Sequence, residues 1–162
     1  MTSYLLSWLA KRSAGADLTS YTQRYPGAWL VWEPGRWHPP PKAGATLSAG
    51  GPSLTPLPAG EALAIALEPT PGRPSLTLGR GAENNIVIDD ATLSRTHLVL
   101  SRAEGWDWTV GDAGSSNGSF LDGRRLAPGK PEPVVDGSRV KAGSVRLTFH
   151  DAGGLYLRLR GL

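Results

Sequence analysis

An all-β sandwich is predicted for the larger, C-terminal part of this chain, and three observations carry the prediction. From about residue 60 onward apolar side chains alternate with polar ones at a period of two. Gly, Pro and Asp-Gly turns cut that alternation into short segments at the spacing expected of an all-β domain. Between residues 61 and 151 no segment fits a helix of any length.

Taken in order, Asp17 is placed to cap a short helix running to about Arg24, with Leu18 and Tyr21 on one side and Pro26 as the stop. Residues 28–32 (Ala-Trp-Leu-Val-Trp) read as a strand closed by the turn Glu33-Pro34-Gly35. Then come Pro39, Pro40, Pro41, Pro52, Pro56 and Pro58. Such a stretch forms neither a helix interior nor a central strand, so it reads as a linker. About eight strands follow. They are 62–67, the Leu76/Leu78 segment, 85–88, 97–101, the Trp106/Trp108/Val110 segment, 120–121, 139–141 and the Val145/Leu147/Phe149 segment. Asp122-Gly123 signals a hairpin and Asp136-Gly137 another turn. In the last residues Leu155, Leu157 and Leu159 alternate as in a strand, yet Leu155 and Leu159 also stand one helical turn apart. The expected organisation is an aromatic-rich N-terminal extension over 1–40, a Pro/Gly-rich linker over 41–60, the sandwich over 61–151 and a tail over 152–162.

Composition narrows the function. A chain of 162 residues with 19% charged residues and six Trp is neither low-complexity nor disordered. The absence of Cys removes disulfides, thiolate metal sites and cysteine nucleophiles. No apolar run reaches the length of a membrane helix, and the first residues carry their apolar patch ahead of their cations, the reverse of a secretory signal. A cytoplasmic chain without a membrane partner is expected. The net charge of +3 sits in residues 1–60, which hold five of the seventeen Lys/Arg and two of the fourteen Asp/Glu; residues 61–162 are balanced at twelve each. No basic run exceeds two residues, so a nucleic-acid partner bound through the basic N-terminal region is the weaker reading.

Several chemical motifs fail on context. Gly79-Arg80-Gly81 opens like a dinucleotide fingerprint but leads into a strand rather than a helix. Gly123 to Lys130 has one residue too many for a phosphate-binding loop, with Pro131 where a hydroxyl is needed. Gly114-Ser115-Ser116-Asn117-Gly118 matches the G-x-S-x-G nucleophile elbow, and Asp136 and His150 follow in hydrolase order. However, the residues after it read as a strand and a turn rather than a helix, so a serine hydrolase using Ser116 is only the alternative. His38, His97 and His150 lie far apart without carboxylates at ligand spacing, and neither a metal nor another cofactor is expected.

What remains is two donor-rich loop clusters. The first is Gly79-Arg80, Asn84-Asn85 and Ser94-Arg95-Thr96-His97. The second is residues 112–118, Asp-Ala-Gly-Ser-Ser-Asn-Gly. Guanidinium groups, hydroxyls, side-chain amides and Gly-exposed backbone N–H groups suit a dianionic oxygen ligand such as phosphate.

In that order and spacing, residues 61–151 resemble a forkhead-associated (FHA) domain. The blocks that carry the likeness are Gly79-Arg80, Asn85-Ile86-Val87-Ile88, Ser94-Arg95-Thr96-His97, the run from Asp112 to Ser119, and Asp136-Gly137. The resemblance implies a sandwich of two antiparallel sheets that binds phosphothreonine and performs no catalysis. It implies that Arg80 and Ser94 hold the phosphate oxygens, helped by Arg95 or its backbone N–H and by the Ser116 hydroxyl. Asn117 would bind the peptide backbone. Thr92 would lie where the residue three places beyond the phosphothreonine is read. Gly79, His97 and Gly118 would support the site structurally. Ser119 and Ser138 depart from the family's usual Thr and Asp, and the loss of Asp at 138 is expected to loosen that turn.

The implied role is a signalling adaptor downstream of a Ser/Thr kinase, with a phosphothreonine-containing protein, the kinase or its substrate, as partner. Three readings of the N-terminal aromatics stand: an accessory layer on the sandwich, a docking surface formed by Trp29, Trp32 and Trp37, or self-occupation of the pocket by a phosphorylated Thr19 or Thr22.

Overall fold

The computed structural model describes residues 1–39, 60–102 and 107–162. The linker expected over 41–60 therefore lies, apart from Gly60, outside the described residues, as does Trp106 of the fifth of the eight expected strands. In chain order the elements are β1 (Ser3–Leu5), α1 (Leu6–Ser13), α2 (Leu18–Arg24), β2 (Ala28–Trp32), β3 (Leu63–Leu67), β4 (Ser75–Gly79), β5 (Ile86–Val87) and β6 (Leu98–Arg102). They continue with β7 (Trp108–Asp112), β8 (Ser119–Leu121), β9 (Arg124–Arg125), β10 (Glu132–Val134), β11 (Arg139–Ala142), β12 (Val145–Asp151) and α3 (Ala152–Arg160).

The strands form two sheets, as the alternation of apolar residues predicts. One runs β1-β3-β2-β12-β11-β8-β9 and the other β10-β7-β6-β4-β5. Among the described residues the strands pair antiparallel except for the short parallel pair of β4 with β5. The first core lies between the sheets. Leu30, Ile65, Leu147 and Phe149 from the larger meet Leu78, Leu98, Leu100 and Val110 from the smaller.

The strand at 28–32, expected within an N-terminal extension, runs between β3 and β12 near the middle of the larger sheet. All five of its residues are buried because both of its faces are covered. Leu30 and Trp32 point into the sandwich, whereas Trp29 and Val31 point the other way. On that outer face a second core forms, in which Leu6 and Leu9 of α1, Tyr21 of α2, and Leu155 and Leu159 of α3 pack on Ala64 and Ala66 of β3. The small alanines let the helices lie close to the sheet. Tyr21, Tyr25 and Trp29 thus build the accessory layer, whereas Trp32 belongs to the inner core and Trp37 donates from Nε1 to Asp89 O at 2.6 Å. Docking of a partner through Trp29 and Trp32 is excluded by their burial, at 2% and 7% exposure.

Local signals account for most elements. The Asp17 carboxylate accepts the Ser20 N–H at 2.7 Å, capping α2 where the sequence placed it. Helix α1 has no side-chain cap, which explains why no start signal was visible there. The ambiguous C-terminal segment is helical. Asp151 caps it, accepting the Gly154 N–H at 2.6 Å, and Leu155 and Leu159 face inward one turn apart. Two further strands, β9 and β10, add to the expected eight. Pro133 is tolerated in β10 because that strand lies at a sheet edge. Asp122 and Gly123 both adopt positive φ (48° and 83°), the tight-hairpin geometry that joins β8 to β9. Ser138 does not leave its turn loose, since its hydroxyl accepts the Val135 N–H at 2.9 Å.

Candidate functional site

The donor-rich loops converge at one end of the sandwich. The β4 end, the loop before β6 and the loop between β7 and β8 are stitched together by backbone and side-chain hydrogen bonds. The Arg80 N–H donates to Ser94 O and the Gly81 N–H to Arg95 O, each at 2.9 Å. The two segments are so close that a Cβ on Gly79 would stand 2.2 Å from the Arg95 carbonyl oxygen, which is why Gly occupies that position.

His97 is wholly buried and joins the loops from beneath. Its Nδ1 accepts the Ser94 N–H at 3.0 Å, so Nε2 carries the proton and donates to Gly118 O at 2.9 Å. Ser94 Oγ in turn accepts the Ser116 N–H at 3.0 Å, leaving its own proton free to donate outward. The Asn117 amide donates to Thr92 O at 2.8 Å, which leaves its carbonyl oxygen and one N–H unused.

Arg80 lies on the exposed side of this cluster. Its Nε donates to Leu93 O at 3.0 Å, which orients the guanidinium and leaves both terminal nitrogens presented. Among the described residues no carboxylate forms an ion pair with it. Arg95 differs. Its guanidinium turns to Glu83, Nε to Oε1 at 3.2 Å, and this exposed pair holds the Glu83 carboxyl below its ordinary range. Thr92 is likewise committed. Its hydroxyl donates to buried Asp90 at 2.6 Å and accepts the Ser144 N–H at 2.9 Å, tying the loop to the β11–β12 turn.

Asp112 organises the second loop from within. Its carboxylate accepts the N–H groups of Gly114 and Ser115 at 3.0 Å each, together with the hydroxyls of Ser115 and Ser119. Burial alone would raise its pKa, but these bonds outweigh burial, and the group titrates below its ordinary value. The Gly118 N–H closes the chain by donating to Ser115 Oγ at 3.0 Å. The backbone at Gly118 has φ of 81°, a conformation open to Gly.

One supporting group escaped the sequence reading: Asp90, which anchors Thr92. Asn84, a member of the first donor cluster, is turned inward, donating to Gly81 O at 2.7 Å and also to Arg95 O. An acidic residue two places before a Thr is a local turn signal that could have revealed Asp90. Ser116 and His150 do not come together. His150 Nδ1 meets Asp136 at 3.0 Å and its Nε2 faces Arg158, while Ser116 sits against Ser94. No helix of the described residues is long and apolar enough to cross a membrane.

Comparison with known proteins gives this geometry a family. Residues 76–143 match the FHA domain model. The oxoglutarate dehydrogenase inhibitor of Corynebacterium diphtheriae is 34% identical over 113 residues, 66% of this chain and 76% of that protein. The chain belongs to the FHA domain family. The glycogen accumulation regulator GarA of Mycolicibacterium smegmatis is 33% identical over 100 residues, covering 57% of this FHA protein and 61% of GarA. A solved FHA domain of Arabidopsis thaliana shares the fold, with a TM-score of 0.51 at 22% identity over 78% of this chain and 86% of that one. This FHA protein is a phosphothreonine-peptide-binding module that serves as a signalling adaptor.

Proposed function

We propose that the phosphothreonine sits between Arg80, Ser94 and Ser116, with Asn117 beside it on the peptide backbone. The observation that carries this reading is the Arg80 guanidinium, oriented through Nε by Leu93 O with both terminal nitrogens free. A phosphothreonine brings about −1.5 to −2 charge and three acceptor oxygens. A guanidinium engages two of these oxygens side by side, and each charge-assisted bond contributes roughly 1.5–3 kcal/mol. The Ser94 hydroxyl proton and the Ser116 hydroxyl complete the donor set. Asn117 has one acceptor and one donor left, the pair needed to hold an extended peptide. Arg95 contributes its backbone N–H, since Glu83 holds its guanidinium. Thr92 acts by fixing Asn117 through its carbonyl and by presenting its methyl group. Gly79, His97 and Gly118 are the supports of the site.

Binding is reversible and no chemistry follows it. His150 is engaged by Asp136 and Arg158, so Ser116 has no general base beside it, which disfavours the hydrolase alternative. The names of the relatives, an inhibitor of oxoglutarate dehydrogenase and a regulator of glycogen accumulation, support a regulatory role. The partner is a cytoplasmic phosphothreonine protein, a Ser/Thr kinase or its substrate. Threonine is preferred over serine by burial of one methyl group, about 0.8 kcal/mol. The phosphopeptide-binding unit includes residues 28–32, which lie inside the sheet that carries β8 and β11.

Selection from a degenerate peptide library tests this. Phosphothreonine peptides should be retained, phosphoserine peptides several-fold less, and unphosphorylated ones not at all. Equal retention of unphosphorylated peptides would overturn it.

A further inference from the structure

The outer face of the larger sheet is only partly covered by the helical layer. Beyond α3 it opens as a cleft of about 840 Å³ floored by β8, β11 and β12. Its charge is one-sided. Lys141 stands directly opposite Arg146 across the β11–β12 pairing, and Arg139, two residues before Lys141, lies diagonal to Arg146 on the same face. Like charges directly opposite each other destabilise a sheet. The fourth cation of the cleft, Arg158, is already neutralised: Glu33 grips it with both carboxylate oxygens, at 2.5 and 2.8 Å. The other three have no carboxylate partner among the described residues. Arg146 reaches only the Pro34 carbonyl, and Lys141 lies 5.7 Å over the Phe120 ring.

We infer that this cleft is a second binding site, separate from the phosphothreonine seat, and that it takes an acidic peptide segment of a protein partner. Three clustered cations on a floor that includes Phe120 and Thr148 complement carboxylate side chains spaced along a peptide. The chain's own residues 40–59 contain no Asp or Glu and so do not supply that complement. Nucleic acid fits less well. The Phe120 ring carries the Lys141 ammonium where a base would stack.

The test uses the full chain and a labelled oligoglutamate peptide that carries no phosphate, read by fluorescence anisotropy at low salt. Wild type and Arg80→Ala should bind it equally. The double variant Arg139→Glu/Lys141→Glu should bind about tenfold more weakly or worse while still binding phosphothreonine peptide as wild type does. Lys141→Gln, which keeps the fold with minimal change, should show a smaller loss in the same direction. The inference is overturned if wild type does not bind oligoglutamate, if Arg80→Ala abolishes that binding, or if neither the double variant nor Lys141→Gln weakens it. Tighter binding of a single-stranded oligothymidylate at the same residues would also overturn it, in favour of nucleic acid. Loss of phosphothreonine binding by Arg80→Ala reports on the other site alone, so the two readings fail separately.

Discussion

Ser94 accepts the backbone N–H of Ser116 through its hydroxyl oxygen at 3.0 Å, although the two residues come from different loops. That bond uses the acceptor side of the hydroxyl and leaves its hydrogen pointing outward for a ligand oxygen. It also ties the β7–β8 loop to the loop preceding β6, so the donors around Arg80 are held in place before any peptide arrives. Pre-organisation of this kind lowers the ordering cost of binding.

The tie depends on His97 beneath it. Replacing His97 with Ala leaves the Ser94 N–H and the Gly118 carbonyl without their buried partner, at a cost of roughly 2–5 kcal/mol. Urea unfolding should show that loss, and the folded fraction should bind phosphothreonine peptide more weakly. Unchanged stability and affinity would contradict the role given to His97.

Gly79→Ala places a methyl group 2.2 Å from the Arg95 carbonyl, a backbone atom that cannot swing away. The Ser94–Arg95 segment must shift, costing about 1–3 kcal/mol. Both the unfolding midpoint and the peptide affinity should fall. Gly123→Ala is the control for positive φ alone, because its Cβ would meet nothing within 4 Å, and it should spare affinity.

Asp112 titrates below the ordinary aspartate value of 3.8 because its hydrogen bonds outweigh its burial. The stability it supplies is present above that value and is lost as pH falls through the lower, folded-state value. Below about pH 4 wild type should therefore lose stability more steeply than Asp112→Asn. Thermal melts across that interval check the slopes, and equal slopes would contradict the assignment.

Leu155 is fully buried against the sheet face that the N-terminal aromatics cover. Leu155→Ala should cost about 2–5 kcal/mol while leaving the phosphothreonine affinity of the folded protein near wild type. A large affinity loss in still-folded protein would mean that the helical layer takes part in the site.

The sandwich and its binding loops were legible in the sequence because period-two alternation and Gly-rich turns are local signals. The loops' ordered blocks pointed to Arg80, Ser94 and Asn117, which the fold brings to one end. Less legible was the assignment of 28–32 to the main sheet. Its strand character was plain, but its partners β3 and β12 lie 30 to more than 100 residues away, and no local pattern encodes such pairing. Helix α1 lacks a cap, and α3 begins on Ala152-Gly153-Gly154, two of them poor helix formers, so packing rather than propensity makes them helical. Arg95 was grouped with the site by its position beside Ser94. Its pairing with Glu83 twelve residues earlier depends on the folded loop.

Isothermal titration of one selected phosphothreonine peptide into wild type and Arg80→Ala tests the central claim most directly. Wild type should bind with a single site, and Arg80→Ala, folded to the same extent by its unfolding curve, should show no measurable binding. Binding by Arg80→Ala within a few-fold of wild type would contradict the phosphothreonine seat described here.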